Sequence, residues 1–434
     1  MKITLQNHLP FLHVTDNSHE CDATSIFLKT NQNSAYEQDA INRGCTKIIS
    51  AQECLTLLGI DGRIKIIGIT GTNGKTTTAA AIYSILLDLG KKVGLQGTRG
   101  CFINDKRIED KSLTTPPILQ TIHNLSCAIN EGCEYFVMEV SSHAIAQNRI
   151  DGLCFALKIL TNVTQDHLDF HKTIDEYIAV KSQFFEDESL KLINKDERNI
   201  RFNRTNAMSY GVENPSTYKV LAYSLKDGIS AAIARIEKVY EFESPMHGFF
   251  NLYNLLCAIS AVDMLNIAPM EAICEAVAHF GGVEGRMEVV SDEPLVIVDF
   301  AHTPDGMEKV LDSLKEKEIV LVFGAGGDRD RAKRPKMGAM AQRYAKKIIV
   351  TSDNPRSEEP DAIISEILAG MHESPSLHVK ADRLQAITEA LAIREKDEVV
   401  LILGKGDETY QEIKGVKYPF DDRVVVRELL AKLG

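Results

Sequence analysis

No run of apolar residues in this 434-residue chain is long enough to cross a bilayer, so a membrane-spanning helix is not expected. The opening residues, MKITLQNHLPFLHVTDNSHE, lack a basic start followed by a long apolar stretch, and a secretion signal is not expected either. The nine cysteines are dispersed and form no C-x-x-C pair. An odd, scattered set argues against a disulfide framework and suits reduced thiols in a cytoplasm, most of them acting as small buried side chains. Positive charge is also in short supply: 49 Lys and Arg against 61 Asp and Glu give a formal net charge of −12. A general duplex-DNA binder needs a basic face to displace phosphate counterions, so nucleic acid is not an expected partner. A phosphorylated small molecule stays open, because a local field can oppose the global charge. Internal repeats and low-complexity tracts are absent as well.

What remains is an ordinary globular balance, 44% hydrophobic and 25% charged, with enough material for the cores of two or three domains. Residues 1–63 mix short apolar runs (Ile26-Phe27-Leu28, Lys47-Ile48-Ile49) with polar turns and read as a small α/β unit. At Ile64 the pattern changes to a continuous apolar strand, IKIIGIT, a Gly-rich turn and the helical run TTTAAAIYSILLDLG. Strands are expected again at Tyr135–Val140 and Leu157–Val163, the alternation of a parallel sheet covered on both faces. A second series, Leu295–Asp299, Glu318–Gly324, Lys347–Thr351 and Glu398–Gly404, follows a candidate hinge at Gly281–Gly285. The expectation is an α/β chain of three domains, 1–63, 64–284 and 285–434.

The segment Gly71-Thr72-Asn73-Gly74-Lys75-Thr76-Thr77 lies between that first strand and that helix. It is a shortened relative of the standard phosphate loop. Glycines let successive backbone N–H groups face one anion, and the helix N-terminus adds a favourable dipole. Lys75 can neutralise β- and γ-phosphates and the Thr76 hydroxyl can hold Mg²⁺. The bland reading, a Gly-rich structural turn, fits a Lys-Thr pair opening a helix poorly, so ATP is the expected ligand.

This loop resembles that of the Mur ligases and folylpolyglutamate synthetases, an ATP-dependent amide-forming superfamily. Further segments resemble Mur ligase motifs in the same order: Met138–His143, Thr161–Asp169, Gly248–Asn254, Gly285–Glu288, Asp299–Pro304 and Phe323–Asp330. The resemblance implies a small N-terminal UDP-binding domain, a central P-loop parallel-sheet ATPase domain and a C-terminal Rossmann-like domain that binds an amino acid. It implies Lys75, Glu139, His167 and Lys181 as the catalytic set, with Thr76, Glu139, His167 and a carbamylated Lys181 holding Mg²⁺. On its own pattern, Lys181 would pass for an ordinary helix-surface lysine. Asn251, Arg286, Asp299 and His302 become candidates for adenine, ribose and phosphate contacts. Asp299 ends an apolar strand, as a sugar-binding acid would; Asn251 reads equally well as a helix cap.

For a UDP-muramoyl-dipeptide, the resemblance points to Ser18, Thr114, Thr115, Ser141, Gln147 and Arg149. Asn17 and His19 depart from the usual D-S-R of the uridine segment. Within the family, Asp353-Asn354-Pro355-Arg356 resembles the signature of members that add meso-2,6-diaminopimelate to UDP-N-acetylmuramoyl-L-alanyl-D-glutamate. The chemistry agrees: diaminopimelate carries a distal carboxylate that lysine lacks, and a planar guanidinium grips a carboxylate with two charge-assisted hydrogen bonds. Arg356 is the expected clamp and Arg329 a second, with Gly404 and Glu408 completing the site. Asp407 stands where the family usually has His. Other ligases of the superfamily (lysine-adding or folate-directed) and a nucleotide-gated binding protein are the competing readings. The expected chain is a cytoplasmic monomer, its C-terminal domain closing over ATP.

Overall fold

Three β-sheets, each flanked by helices, carry the fold of the computed structural model, which describes residues 1–5, 10–110, 113–226 and 228–433. The first sheet takes its strands in chain order, Lys2–Thr4, His13–Thr15, Ser25–Leu28 and Lys47–Ile49, antiparallel for the first pair and parallel thereafter. The helix Ala51–Leu57 starts sharply because Ser50 and Glu53 each bond the other's backbone N–H. Ile3, Val14, Ile26, Leu28 and Cys54 run into the same apolar cluster as Ile66, Phe136 and Leu160 of the second sheet.

That second sheet has eleven strands. Its parallel centre runs, in spatial order, Lys191–Asn194, Phe155–Leu160, Lys65–Thr70, Tyr135–Glu139 and Val93–Gly97. Ile66, Ile67 and Ile69 are buried on both faces, which is why this strand reads as an unbroken apolar run. From Lys65–Thr70 the chain crosses first to the Val93–Gly97 side and later to the Phe155–Leu160 side. The carboxyl ends of Lys65–Thr70 and Phe155–Leu160 therefore bound a topological switch point, where open α/β sheets place ligands.

In the third sheet the order is Glu288–Asp292, Leu295–Asp299, Val399–Leu403, Ile319–Phe323, Lys347–Thr351 and Leu377–Lys380; the first pair is antiparallel and the rest parallel. The strand period of two sends neighbouring residues into different cores. Leu321, Phe323, Ile348, Val350, Leu401 and Leu403 face one helix layer; Val320, Val322, Ile349, Val400 and Ile402 face the other. At about 1.5–3 kcal/mol per buried side chain, this double burial fixes the strand ends that carry the polar residues described below.

The chain divides into two compact units: 1–223 with 230–244 and 253–280, and 224–229 with 245–252 and 281–434. The α/β class matches expectation. The strand expected at Leu157–Val163 runs instead over Phe155–Leu160, because residues 161–164 leave the ladder to bond the glycine loop. Among the described residues, no helix is long and apolar enough to cross a membrane.

Candidate active site

In the first unit, the strand Lys65–Thr70 delivers the glycine loop to the switch point and the helix Lys75–Asp88 begins at Lys75. Gly74 caps that helix with φ +82°, in the left-handed region. A methyl group at Gly71 would overlap Thr161 Oγ1. The loop is strapped from the neighbouring strand end. Thr72 N donates to Asn162 O (2.8 Å), Asn73 N to Asn162 Oδ1 (2.9 Å) and Asn162 Nδ2 to Asn73 O (3.0 Å). Thr161 Oγ1 donates to Asn73 O (2.7 Å), and Thr164 N to Thr72 Oγ1 (2.9 Å).

Lys75 Nζ folds back onto Gly71 O (2.8 Å) and Thr72 O (2.9 Å). Lys181 Nζ reaches the same Gly71 carbonyl at 3.0 Å and Thr70 Oγ1 at 3.3 Å, with the Tyr177 ring 4.8 Å away. Lys181 is buried, so its reading as a helix-surface lysine is overturned: its helix, Ile174–Gln183, buries Tyr177, Lys181 and Ser182 on one face. Burial, reinforced by the nearby Lys75 charge and opposed by Asp166, holds its pKa well below the usual lysine range. A buried amine of that kind spends more of its time neutral and nucleophilic.

Thr76 Oγ1 donates to Glu139 Oε2 (3.0 Å), and Thr98 N holds the other carboxylate oxygen (2.9 Å). A hydroxyl and a carboxylate meeting beside a phosphate loop are the hard oxygen donors that suit Mg²⁺. His167 has φ +52° and sits edge-on to His143, 4.9 Å between ring centres, and 6.3 Å from the Tyr177 ring. Tyr177 OH is 3.0 Å from Thr72 Oγ1. Tyr177 thus stands between His167 and Lys181, joining both to the loop.

Of the residues expected to meet a muramoyl-dipeptide, Thr114, Thr115, Ser141, Gln147 and Arg149 form one connected set. Thr115 Oγ1 donates to Glu139 O (2.9 Å) and accepts from Ser141 N (3.0 Å); Thr114 Oγ1 is 3.0 Å from Thr98 Oγ1. Ser141 also caps the helix Ser142–Ala146. Arg149 reaches Thr115 O (3.0 Å) and the Gln147 amide, which in turn accepts from Gln32 of the N-terminal region (2.9 Å). Ser18 is buried in the short turn Ser18–Glu20, away from these contacts in sequence and held by its own local bonds.

The second unit gathers Asp353, Asn354, Arg356, Gly404 and Glu408 at the ends of Lys347–Thr351 and Val399–Leu403. Asn354 Nδ2 donates to Glu408 Oε2 (2.7 Å); its Oδ1 accepts from Glu412 N (2.9 Å) and Lys405 Nζ (3.3 Å). Arg356 follows Pro355 with φ +51°; its Nη1 donates to Gly327 O (2.7 Å) and its Nε lies 3.7 Å from Glu412 Oε2. Any side chain at Gly404 would meet the Asp353 carboxylate. Arg329 is exposed, its Nη1 donating to the neighbouring Asp328 O (3.1 Å). Asp299 is buried, its two oxygens accepting from Met287 N (2.8 Å) and Ala301 N (2.7 Å). Burial raises its pKa against the pull of Arg286, whose guanidinium lies over the Phe300 ring at 4.3 Å. His302 Nδ1 is 2.9 Å from Phe300 O. Asn251 lies within the first turn of Phe249–Met264, its Nδ2 donating to His247 O (2.8 Å).

Three contributors were not singled out from the sequence. Asn162 straps the loop, Asn254 packs against Gly74 and accepts from Thr78 Oγ1 (3.3 Å), and Lys405 is fully buried among Asn354, Glu408 and Tyr410. Asn162 and Asn254 lie inside the quoted motifs, and a polar residue immediately after a buried strand is the signal that marks Asn162.

A glycine loop at a switch point, a hydroxyl–carboxylate pair and two lysines sharing one carbonyl define a phosphoryl-handling α/β enzyme site. Two family models match: the Mur ligase middle domain over residues 69–262 and the Mur ligase, glutamate ligase domain over 285–406. The chain belongs to the Mur ligase family. It is 55% identical over 420 residues to the UDP-N-acetylmuramoyl-L-alanyl-D-glutamate–2,6-diaminopimelate ligase of Wolinella succinogenes, covering 97% of this chain and 96% of that one. The like-named Helicobacter pylori protein is 47% identical, covering 99% and 98%. A solved structure of a ligase with that name superposes with TM-score 0.71 at 30% identity, covering 100% of this chain and 97% of the other. A Mycobacterium tuberculosis folylpolyglutamate synthase shares the fold, with TM-score 0.65 at 17% identity over 82% of this chain and 91% of its own.

Proposed function

We propose that this chain joins meso-2,6-diaminopimelate to the D-glutamyl γ-carboxylate of UDP-N-acetylmuramoyl-L-alanyl-D-glutamate at the expense of ATP, a step in peptidoglycan synthesis. The observation that carries the substrate assignment is the near-full-length similarity to ligases bearing that name. The site chemistry supports it independently. A carboxylate does not acylate an amine in water until one oxygen becomes a leaving group. Transfer of the γ-phosphoryl to that oxygen gives an acyl phosphate and ADP. The free amine then attacks the carbonyl carbon, and phosphate departs with the C–O bond electrons.

Lys75 swings from its loop carbonyls to the β- and γ-phosphates, so that cation and loop N–H groups stabilise the charge that develops. Thr76, Glu139, His167 and Lys181, the last as its carbamate, would hold Mg²⁺, which supplies further charge neutralisation at the phosphates. The depressed pKa of Lys181 favours that modification, because its neutral amine adds CO₂ and releases one proton. Thr114, Thr115, Ser141, Gln147 and Arg149 orient the muramoyl-dipeptide. Arg356 takes the distal carboxylate of diaminopimelate and Glu408 its ammonium. No protein nucleophile is needed, and most of the acceleration comes from alignment.

The test is mass analysis of the product formed from ATP and the UDP-dipeptide with either meso-diaminopimelate or L-lysine. A tripeptide formed with diaminopimelate supports the reading. A lysine product instead keeps the ligase and removes the Arg356 clamp.

A further inference from the structure

Behind the second unit's site lies a buried ion pair to which nothing above gives a role. Arg383, the first residue of the helix Arg383–Ile393, and Asp422, the first of Asp422–Leu433, both have fully buried side chains. The fork is bidentate: Nε donates to Asp422 Oδ1 (2.8 Å) and Nη2 to Oδ2 (2.7 Å). The guanidinium has donors to spare, and they go to two backbone carbonyls. Nη1 reaches Ser352 O (3.3 Å) and Nη2 reaches Leu403 O (3.0 Å). These carbonyls sit at the ends of two strands that do not pair with each other, since Ile319–Phe323 runs between them. The next residues along the chain are Asp353 and Gly404, and both belong to the candidate amino-acid site. The Ser352–Asn354 turn also closes over Gly324, where an added Cβ would press on Thr351 O and Asp353 N.

We propose that Arg383 is the positioning residue of the amino-acid subsite. Its guanidinium, oriented by Asp422, sets the spacing between the Ser352–Asn354 turn and the Leu403–Lys405 turn, and so tunes affinity for the amino-acid substrate. The inference rests on the reading of this site as the diaminopimelate site. Lysine at 383 would keep the charge but cannot bond Asp422 and both carbonyls in one plane. A buried ion pair replaced as a whole by apolar residues commonly leaves stability unchanged or improved, whereas removing one partner strands a charge. The pair's contribution to folding and its contribution to positioning are therefore separable.

The experiment compares the wild-type chain, Arg383→Lys and the double variant Arg383→Met with Asp422→Leu, measuring melting temperature and the KM of each substrate. The double variant is expected to melt within a few degrees of wild type. Both variants should raise the diaminopimelate KM at least tenfold while leaving the KM values for ATP and the UDP-dipeptide within twofold. An unchanged diaminopimelate KM in a folded variant overturns the inference and leaves the substrate reading standing. Failure of both variants to fold assigns the pair to the core alone and also overturns it. Absence of diaminopimelate turnover by the wild-type chain overturns the substrate reading, and the inference with it.

Discussion

Replacing Arg356 by lysine isolates the interaction that separates diaminopimelate from lysine as a substrate. The structure bounds what is lost. One N–H of the guanidinium is taken by Gly327 O (2.7 Å), and Nε faces Glu412 at 3.7 Å. Among the described residues, the second N–H of Nη1 and both of Nη2 are left to make a two-pronged grip on a carboxylate. An ammonium keeps the charge and forfeits the second prong. Hydrogen bonds to charged groups are worth about 1.5–3 kcal/mol, so kcat/KM for diaminopimelate should fall roughly 10- to 150-fold at 1.36 kcal/mol per decade. L-Lysine has no distal carboxylate, and its kcat/KM should move by less than about threefold. Both residues face the same left-handed backbone demand at φ +51°, so the backbone does not confound the comparison. The assay is coupled ADP release with each amino acid across a concentration series. Equal losses for the two amino acids would refute the clamp.

Three other perturbations probe the remaining parts. Lys181→Met should lower turnover at least roughly a hundredfold, as expected when a charge-stabilising group is lost, with little change in melting temperature; retained turnover would remove Lys181 from the catalytic set. Gly74→Ala imposes a left-handed alanine, costing about 1–2 kcal/mol, and displaces Asn254; urea denaturation should show that loss, and calorimetry should show ATP binding weakened more than tenfold. Asp196 is pushed up by burial but pulled further down, to about 2, by hydrogen bonds from Glu213 N, Tyr253 OH and Asn214. Its contribution is therefore full above the unfolded value of 3.8 and is lost as pH falls toward 2. Allowing for solvent screening, Asp196→Ala should cost about 1 kcal/mol or more at pH 7, and the difference from wild type should shrink as pH falls from about 4 through 2 in denaturation curves.

The legible parts of this chain are those whose physics is local. A strand buried on both faces, a glycine loop and a helix opening on Lys75-Thr76 can be read within fourteen residues. The strand ends carrying Asp299, Asp353 and Gly404 follow from apolar runs that stop at a polar residue. What sequence pattern hides is burial created by distant segments. Lys181 looks exposed because its helix has no strong apolar stripe, yet the fold seats it beneath Gly71. Lys405 in its turn and Arg383 at its helix start are unremarkable basic residues until Asn354, Glu408 and Asp422 close around them. Arg329 shows the reverse: a motif arginine that lies exposed, bonded to its own neighbour.

The most direct test of the account follows one oxygen atom. UDP-N-acetylmuramoyl-L-alanyl-D-glutamate labelled with ¹⁸O in both oxygens of the γ-carboxylate would be turned over with ATP and meso-diaminopimelate, and the released phosphate analysed by mass. Activation by γ-phosphoryl transfer predicts one ¹⁸O in each phosphate, with ADP and tripeptide formed in equal amounts. Unlabelled phosphate, or label found in AMP, would contradict the acyl-phosphate account.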